Sequence, residues 1–339
     1  MLYLSAADVA RALEQIDAPV VVSEVLSAHA RGDAELAAEA YLSWNAPDGG
    51  QARTLNMPGM IRGSRIVVGT KIINGNLANP TRGLPRASGL TMLFDPLSAR
   101  IVCLMEGAQI SARRTACVSL AATRALARTS AETVAVIGVG VIGQEHCEVL
   151  CRELAWLRQL VLFDIEPQRL MSLAQVFRRR FSDKNLRIET VATVEEAIRE
   201  ADVIVACTTT ASGYIRPEWL RRGALVVNVS LDDVPPDLFR AADKVVVDDW
   251  ALVAADDRRV LGRLFHAGQA VGPFDPPRDN AVRVEAELGS ILVGTTVGRR
   301  SDDEIVVVNP FGMAIEDLAL AAKVEEVARQ QGLGVVLPV

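Results

Sequence analysis

Gly138, Gly140 and Gly143 follow the apolar run Thr133-Val-Ala-Val-Ile137, and Asp164 closes the next one, Leu160-Val-Leu-Phe-Asp164. These residue types at this spacing suit the binding of a dinucleotide. Gly138 allows a tight turn out of a strand, Gly140 lets the backbone approach a pyrophosphate, and Gly143 lets the next helix pack closely on the strand. The helix start offers unpaired N–H groups and the positive end of its dipole to the phosphates. A carboxylate roughly 20 residues further on accepts hydrogen bonds from the ribose hydroxyls and repels a 2′-phosphate. NAD is therefore the expected cofactor, with Arg169 near enough in sequence to weaken the preference over NADP. Val141 and Ile142, in the first helical turn, belong to the same loop. Thr208 and Ser230, each just after a later strand, are the other expected cofactor contacts.

The other reactive residue types form no second motif. His29, His146 and His266 share no segment with a serine or cysteine nucleophile, which argues against a triad hydrolase. His146 lies just inside the phosphate-binding helix, where it can touch the cofactor. Cys103, Cys117, Cys147, Cys151 and Cys207 are odd in number and scattered among apolar residues. Cys147 and Cys151 share a helix face, but no His/Cys cluster completes a metal site. Buried thiols in a reducing cytoplasm are the expectation, with no metal.

The elements that must position these residues alternate. Strands are expected at 133–137, 160–164, 187–191, 202–207, 224–229 and 244–248, with helices between them at 142–154, 167–180 and 194–200. Thr193 followed by Glu195 and Glu196 marks a helix start. Short all-apolar strands suit a parallel sheet covered on both faces, which predicts a Rossmann-type, doubly wound α/β segment. The flanking residues read differently. Helices at 5–16 and 18–31 precede strands at 65–73, 86–94 and 100–106, the last two joined by the turn from Asp95 to Arg100. A helix over 111–127 leads into the nucleotide segment. A strand at 304–309 and an amphipathic helix at 314–331 end the chain, with the helix expected to fold back on the first segment.

At 339 residues, two domains are more natural than one. Half the residues are apolar and 23% are charged, which speaks against disorder. A net charge of −6 speaks against nucleic acid as a partner. No apolar run approaches the roughly 20 residues of a membrane helix, and the first residues lack the basic start of a signal peptide. A cytoplasmic enzyme acting on a small molecule is the expectation.

The chain resembles the ornithine cyclodeaminase/mu-crystallin family. The resemblance rests on Val68-Gly-Thr-Lys71, on Met105-Glu-Gly-Ala-Gln-Ile-Ser-Ala-Arg-Arg114-Thr-Ala, on the glycine motif with Asp164, and on Val227-Asn-Val-Ser-Leu-Asp232. It implies an α+β substrate-binding and dimerisation domain, residues 1–115 plus 310–339, into which a Rossmann NAD-binding domain, residues 116–309, is inserted. It also implies a homodimer. Gly83-Leu-Pro-Arg86-Ala-Ser88, Val229-Ser-Leu-Asp-Asp233, Gly298-Arg-Arg-Ser-Asp-Asp-Glu304 and Asn309-Pro-Phe-Gly-Met313 look closest to the dehydrogenases that make 2,3-diaminopropionate. Lys71-Ile-Ile-Asn-Gly75 and Asp232 are similar to the cyclodeaminases, which release ammonia and recycle NAD in place. A mu-crystallin-like ketimine reductase or nucleotide-dependent binding protein is a third expectation.

By this resemblance Arg53, Lys71 and Arg114 are the carboxylate clamp and Asp232 is catalytic. Physics supports parts of it. An arginine fork binds a carboxylate at two points, and Arg114 lies in a helix of small and apolar residues where an unpaired charge is costly. Arg86 is a candidate for a second carboxylate. Lys71 ends an apolar strand, where burial eases loss of its proton for acid–base work. Asp232 or its neighbour Asp233 follows a sheet strand at the edge where such folds place ligands. Glu106, just before the Arg114 helix, pairs with an arginine or caps the helix.

Overall fold

Residues 1–338 are described in this computed structural model. The chain first forms β1 (Leu2–Leu4), α1 (Ala6–Leu13), α2 (Ala18–Ala30), β2 (Ala34–Leu36), β3 (Ala40–Asn45), β4 (Gln51–Ile61), β5 (Val67–Asn76), β6 (Ala87–Phe94), β7 (Ile101–Glu106) and α3 (Ala108–Leu126). Ser5 and Asp8 close a capping box at the start of α1, and Asp17 caps α2. Asp95 Oδ1 accepts from the Leu97 and Ser98 amides, which shapes the turn of the antiparallel β6–β7 hairpin.

Four strands here, β1 to β4, were not expected. β4 runs for 11 residues through Asn56, Pro58 and Gly59, and it pairs with β5, β2 and β3. Its polar and proline content hides the period-2 signal, and its strand state comes from those long-range partners.

A parallel sheet follows. Its elements are β8 (Thr133–Ile137), α4 (Val141–Glu153), β9 (Gln159–Phe163), α5 (Pro167–Arg180), β10 (Arg187–Thr190), α6 (Val194–Arg199), β11 (Val203–Ala206), β12 (Leu225–Asn228), α7 (Pro236–Ala241), β13 (Lys244–Val247), α8 (Trp250–Ala255), α9 (Val260–His266), β14 (Ala270–Val271), β15 (Val282–Arg283), β16 (Ala286–Glu287), α10 (Leu288–Leu292) and β17 (Val306–Val308). The order is β10-β9-β8-β11-β12-β17-β13-β16, with every neighbouring pair parallel. This is the Rossmann-type doubly wound arrangement, and its order reverses between β8 and β11. β17 inserts between β12 and β13, so the last apolar strand completes this sheet rather than edging it. Ile137, Val226, Val245, Val247 and Phe239 are buried in its core.

The chain then returns through α11 (Ala314–Gln331) and β18 (Val335–Val336). α11 packs on α1, α2, β4, β5 and β6, and the first sheet has the order β18-β1-β7-β6-β5-β4-β2, with β3 on β4. Two compact units result: Met1–Arg114 with the tail from Gly312, and Thr115–Phe311. Among the described residues no helix is long and apolar enough to cross a membrane.

Candidate cofactor and substrate site

The glycine turn leaves the end of β8. Gly138 has φ +86°, a left-handed conformation that favours glycine, and a Cβ there would lie 3.0 Å from the Cys207 carbonyl carbon. A Cβ on Gly143 would collide with the Gly138 carbonyl oxygen, whereas the space beside Gly140 is open. Gly140 is the N-cap of α4, and Val141 after it is 77% exposed. The helix N-terminus is thus presented with room for a phosphate.

Asp164, one residue beyond β9, is buried. Its Oδ2 accepts from the Val139 amide (2.7 Å) and its Oδ1 from the Glu166 amide (2.8 Å). Arg169 Nη1 lies 3.6 Å from Oδ2. The carboxylate therefore braces the glycine turn. His146 is fully buried and acts as scaffold. Its Nδ1 donates to the Ile142 carbonyl (2.7 Å), and Nε2 accepts from the Ser119 hydroxyl (2.8 Å). Burial holds its pKa down, at about 4, so the ring is neutral.

The loops after β11 and β12 meet at the same sheet edge. Thr208 Oγ1 and the Tyr214 hydroxyl both donate to Asp233 Oδ1, each at 2.6 Å. Burial pushes the Asp233 pKa up. Ser230 Oγ is buried with no hydrogen-bond partner, and Ser230 N donates to the Ala206 carbonyl. Asp232 turns the other way, to Arg263, with Oδ1 2.5 Å from Nη2. That ion pair lines a cleft of about 230 Å³ with Ser212, Pro235, Val260 and Leu264. Adjacent aspartates thus differ in their tasks: Asp233 ties two loops together, and Asp232 faces a cleft with a guanidinium against it.

The remaining candidates belong to the first unit. Lys71 sits on β5 between Met57 of β4 and Thr91 of β6. Its Nζ donates to Ser111 Oγ (2.8 Å) and lies 2.9 Å from Asp317 Oδ1. Arg114 Nη1 donates to Glu316 Oε2 (2.7 Å), and its Nε is 3.2 Å from Asp317 Oδ2. Glu316 and Asp317 have no exposed surface. Gly312 has φ +93°, and a Cβ there would collide with Arg114 Nη1, so this glycine makes room for the guanidinium. Burial lowers the Lys71 pKa to about 8, against the pull of Asp317. Glu106 caps α3, accepting from the Ala108 amide at 2.7 Å.

Arg53 on β4 and Arg86 just before β6 are half-buried and near one another. Arg53 stands opposite Gly75 of β5, where a Cβ would lie 3.7 Å from its Nε. Burial, and then the positive charge of Arg53, lower the Arg86 pKa. Among the described residues neither has a carboxylate partner, in contrast to Arg114.

Sequence reasoning missed Glu316, Asp317 and Arg263. A signal existed for the first two: consecutive acids open a helix that is otherwise buried and apolar on most sides, so they require cationic partners. Arg263 carried no such signal.

A glycine turn, a helix N-terminus and a carboxylate at the end of the next strand, on a doubly wound parallel sheet, mark an NAD-dependent oxidoreductase. The chain belongs to the ornithine cyclodeaminase/mu-crystallin family, whose model matches residues 3–332. It is 32% identical to the N-((2S)-2-amino-2-carboxyethyl)-L-glutamate dehydrogenase of Staphylococcus aureus (strain NCTC 8325 / PS 47), over 99% of this chain and 98% of that one. The crystal structure of CmnK superposes with a TM-score of 0.89 at 37% identity, covering 100% of this chain and 98% of that one. The Thermococcus litoralis Delta(1)-pyrroline-2-carboxylate reductase, solved with NADH and L-proline, shares the fold, with a TM-score of 0.86 at 24% identity over 99% of this chain and 100% of that one.

Proposed function

We propose that this protein oxidises the α-carbon of an N-substituted amino acid bearing more than one carboxylate, in the manner of 2,3-diaminopropionate synthesis. The observation that carries this reading is the Arg53–Arg86 pair. Two like charges, half-buried side by side without a carboxylate partner, suit a dianionic ligand that supplies the missing charge. The dehydrogenase named above acts on a substrate of this kind by its name, an amino acid joined through nitrogen to glutamate.

NAD, when bound, accepts the hydride from the substrate Cα. The residues of the chain do the rest. The glycine turn and the start of α4 hold the phosphates, and Asp164 receives the ribose hydroxyls. Thr208 and Ser230 face the same edge, with Thr208 fixed by Asp233. Arg53 and Arg86 hold carboxylates and orient Cα. Lys71, with a pKa near 8, takes the proton that leaves the substrate nitrogen as the C=N bond forms. Asp232, ion-paired with Arg263, orients the water that adds to that bond. The C–N bond then breaks to a 2-oxo acid and a free amine.

The alternative reading is cyclodeamination, with release of ammonia and no net NADH. It draws on Asp232 as a proton acceptor. The guanidinium already on Asp232 Oδ1 favours the oxidation reading, because that oxygen is engaged in an ion pair rather than free to take the substrate proton.

A second copy of this chain is the proposed partner. Tyr41, Leu42 and Trp44 on β3, with Leu90 on β6, are exposed apolar residues of the first sheet, and a homodimer through that sheet would cover them. Five free thiols suit a reducing compartment, and we assign the protein to the cytoplasm. The deciding experiment mixes the protein with NAD and a panel of amino acids and N-substituted amino acids. Steady NADH with a 2-oxo acid and an amine supports the proposal. Ammonia without NADH supports cyclodeamination instead.

A further inference from the structure

We infer that Asp317 is a positioning residue for the reaction: a single buried carboxylate holds the Lys71 ammonium and the Arg114 guanidinium together and sets how readily Lys71 gives up its proton. This rests on the reading of Lys71 as the group that handles the amine proton.

The geometry is specific. Lys71 Nζ donates to Asp317 Oδ2 (3.0 Å) and lies 2.9 Å from Oδ1, and the same Oδ2 is 3.2 Å from Arg114 Nε. It reaches both from the first turn of α11, while its neighbour Glu316 takes Nη1 of the same guanidinium. Four charges, two of each sign, are gathered where almost no side-chain surface is exposed. Stability alone explains such a cluster poorly, since buried ion pairs are often replaced by apolar residues at no cost. A functional demand on Lys71 explains it better.

The charges facing Lys71 can be named from every side. Asp317 and Glu316 come from α11, and Arg114 and the neutral Ser111 come from α3. The strand neighbours Met57 and Thr91 do not titrate in the working range. Burial and Arg114 favour neutral Lys71; Asp317 is the largest opposing influence, and Glu316 adds to it. Without Asp317 the midpoint of the lysine would lie lower, because burial and Arg114 would then be opposed only by Glu316.

The test reads Lys71 directly. Full-length protein carrying labelled lysine is titrated by NMR without substrate, and the Lys71 resonance is assigned by its loss in Lys71→Arg. The midpoint is expected near 8 and should fall by about one pH unit or more, tenfold in the ionisation constant, in Asp317→Asn. The acidic limb of the kcat/KM profile, below which Lys71 is protonated and cannot accept, should move the same way, and Asp317→Glu should restore both in part. In the unmodified protein, labelled at aspartate carboxyls, the Asp317 Cγ signal should step at the Lys71 midpoint. That last measurement decides the matter even where Asp317→Asn does not fold. An unchanged Lys71 midpoint in folded Asp317→Asn, or no Asp317 step, overturns the inference. If the unmodified protein makes NADH from no substrate, the functional reading fails, while the titrations still judge the role of Asp317.

Discussion

Asp164 accepts a hydrogen bond from the Val139 amide at 2.7 Å, so the carboxylate proposed to receive the ribose also holds the glycine turn in place. On the proposed reading, recognition of the ribose and the shape of the phosphate loop are thereby coupled. The coupling runs across neighbouring parallel strands, β9 to β8.

Asp164→Ala should therefore do two things. It should narrow the gap between NAD and NADP affinity, because the repulsion toward a 2′-phosphate disappears. It should also weaken both cofactors, because the Val139 and Glu166 amides lose their acceptor. Calorimetric titration of both cofactors checks this. Tighter NADP than NAD binding to the unmodified protein would contradict the assignment.

Arg53→Ala and Arg86→Ala should each raise KM by about 10- to 100-fold for a substrate with several carboxylates, as expected if a charge-assisted contact of roughly 1.5–3 kcal/mol is lost. Stability should hold or improve, since each change relieves a like-charge contact. Initial-rate kinetics with a melting curve separates the two effects. Unchanged KM in both variants would remove the pair from the site.

Arg114→Ala should behave differently. The change strands Glu316 and Asp317 without their guanidinium, and breaking a buried pair by removing one partner costs about 3–5 kcal/mol. A large fall in denaturation midpoint is expected alongside any rise in KM. A variant as stable as the unmodified protein would show that the acids find other partners.

Asp232→Asn should cut kcat by at least about 100-fold while sparing NAD binding, because the amide keeps the shape but loses the charge paired with Arg263. Asp233→Asn should instead loosen the loops carrying Thr208 and Tyr214, and so raise the Kd for NAD. Near-normal kcat in Asp232→Asn would move the water-orienting role elsewhere.

His146 makes folding sensitive to acid. Its folded pKa is about 4, below the ordinary 6.5, so the unfolded chain binds the extra proton between those values. Its contribution is full above pH 6.5 and is lost as pH falls toward 4, by about 2 kcal/mol at pH 5. Denaturant titrations at pH 7.5 and 5 should show this drop, and the slope should be shallower in His146→Phe. Equal slopes would assign the acid sensitivity to the carboxylates.

The sequence by itself determined the cofactor half of this protein. A turn that needs a left-handed residue at Gly138, a helix that must approach closely at Gly143, and short all-apolar strands are local demands, and local residue patterns reveal them. Thr193 as a helix start was legible for the same reason, and of the two roles open to Glu106 the structure shows the cap.

Only the tertiary structure decided how the charges are paired. Lys71 and Asp317 stand 246 residues apart, Arg114 and Glu316 stand 202 apart, and Asp232 meets Arg263 across 31. No periodicity connects such positions; α11 must first pack on β5, and α9 must first reach the loop after β12. The same holds for β4, whose Pro58 and Asn56 conceal a strand that exists because β5 and β3 flank it. Arg114 reads in sequence as a clamp awaiting a ligand, but the fold supplies two acids to it and leaves Arg53 and Arg86 without any. Residue types dictate which interactions a chain can make, whereas the pairing of buried charges follows from which distant segments the hydrophobic core brings together.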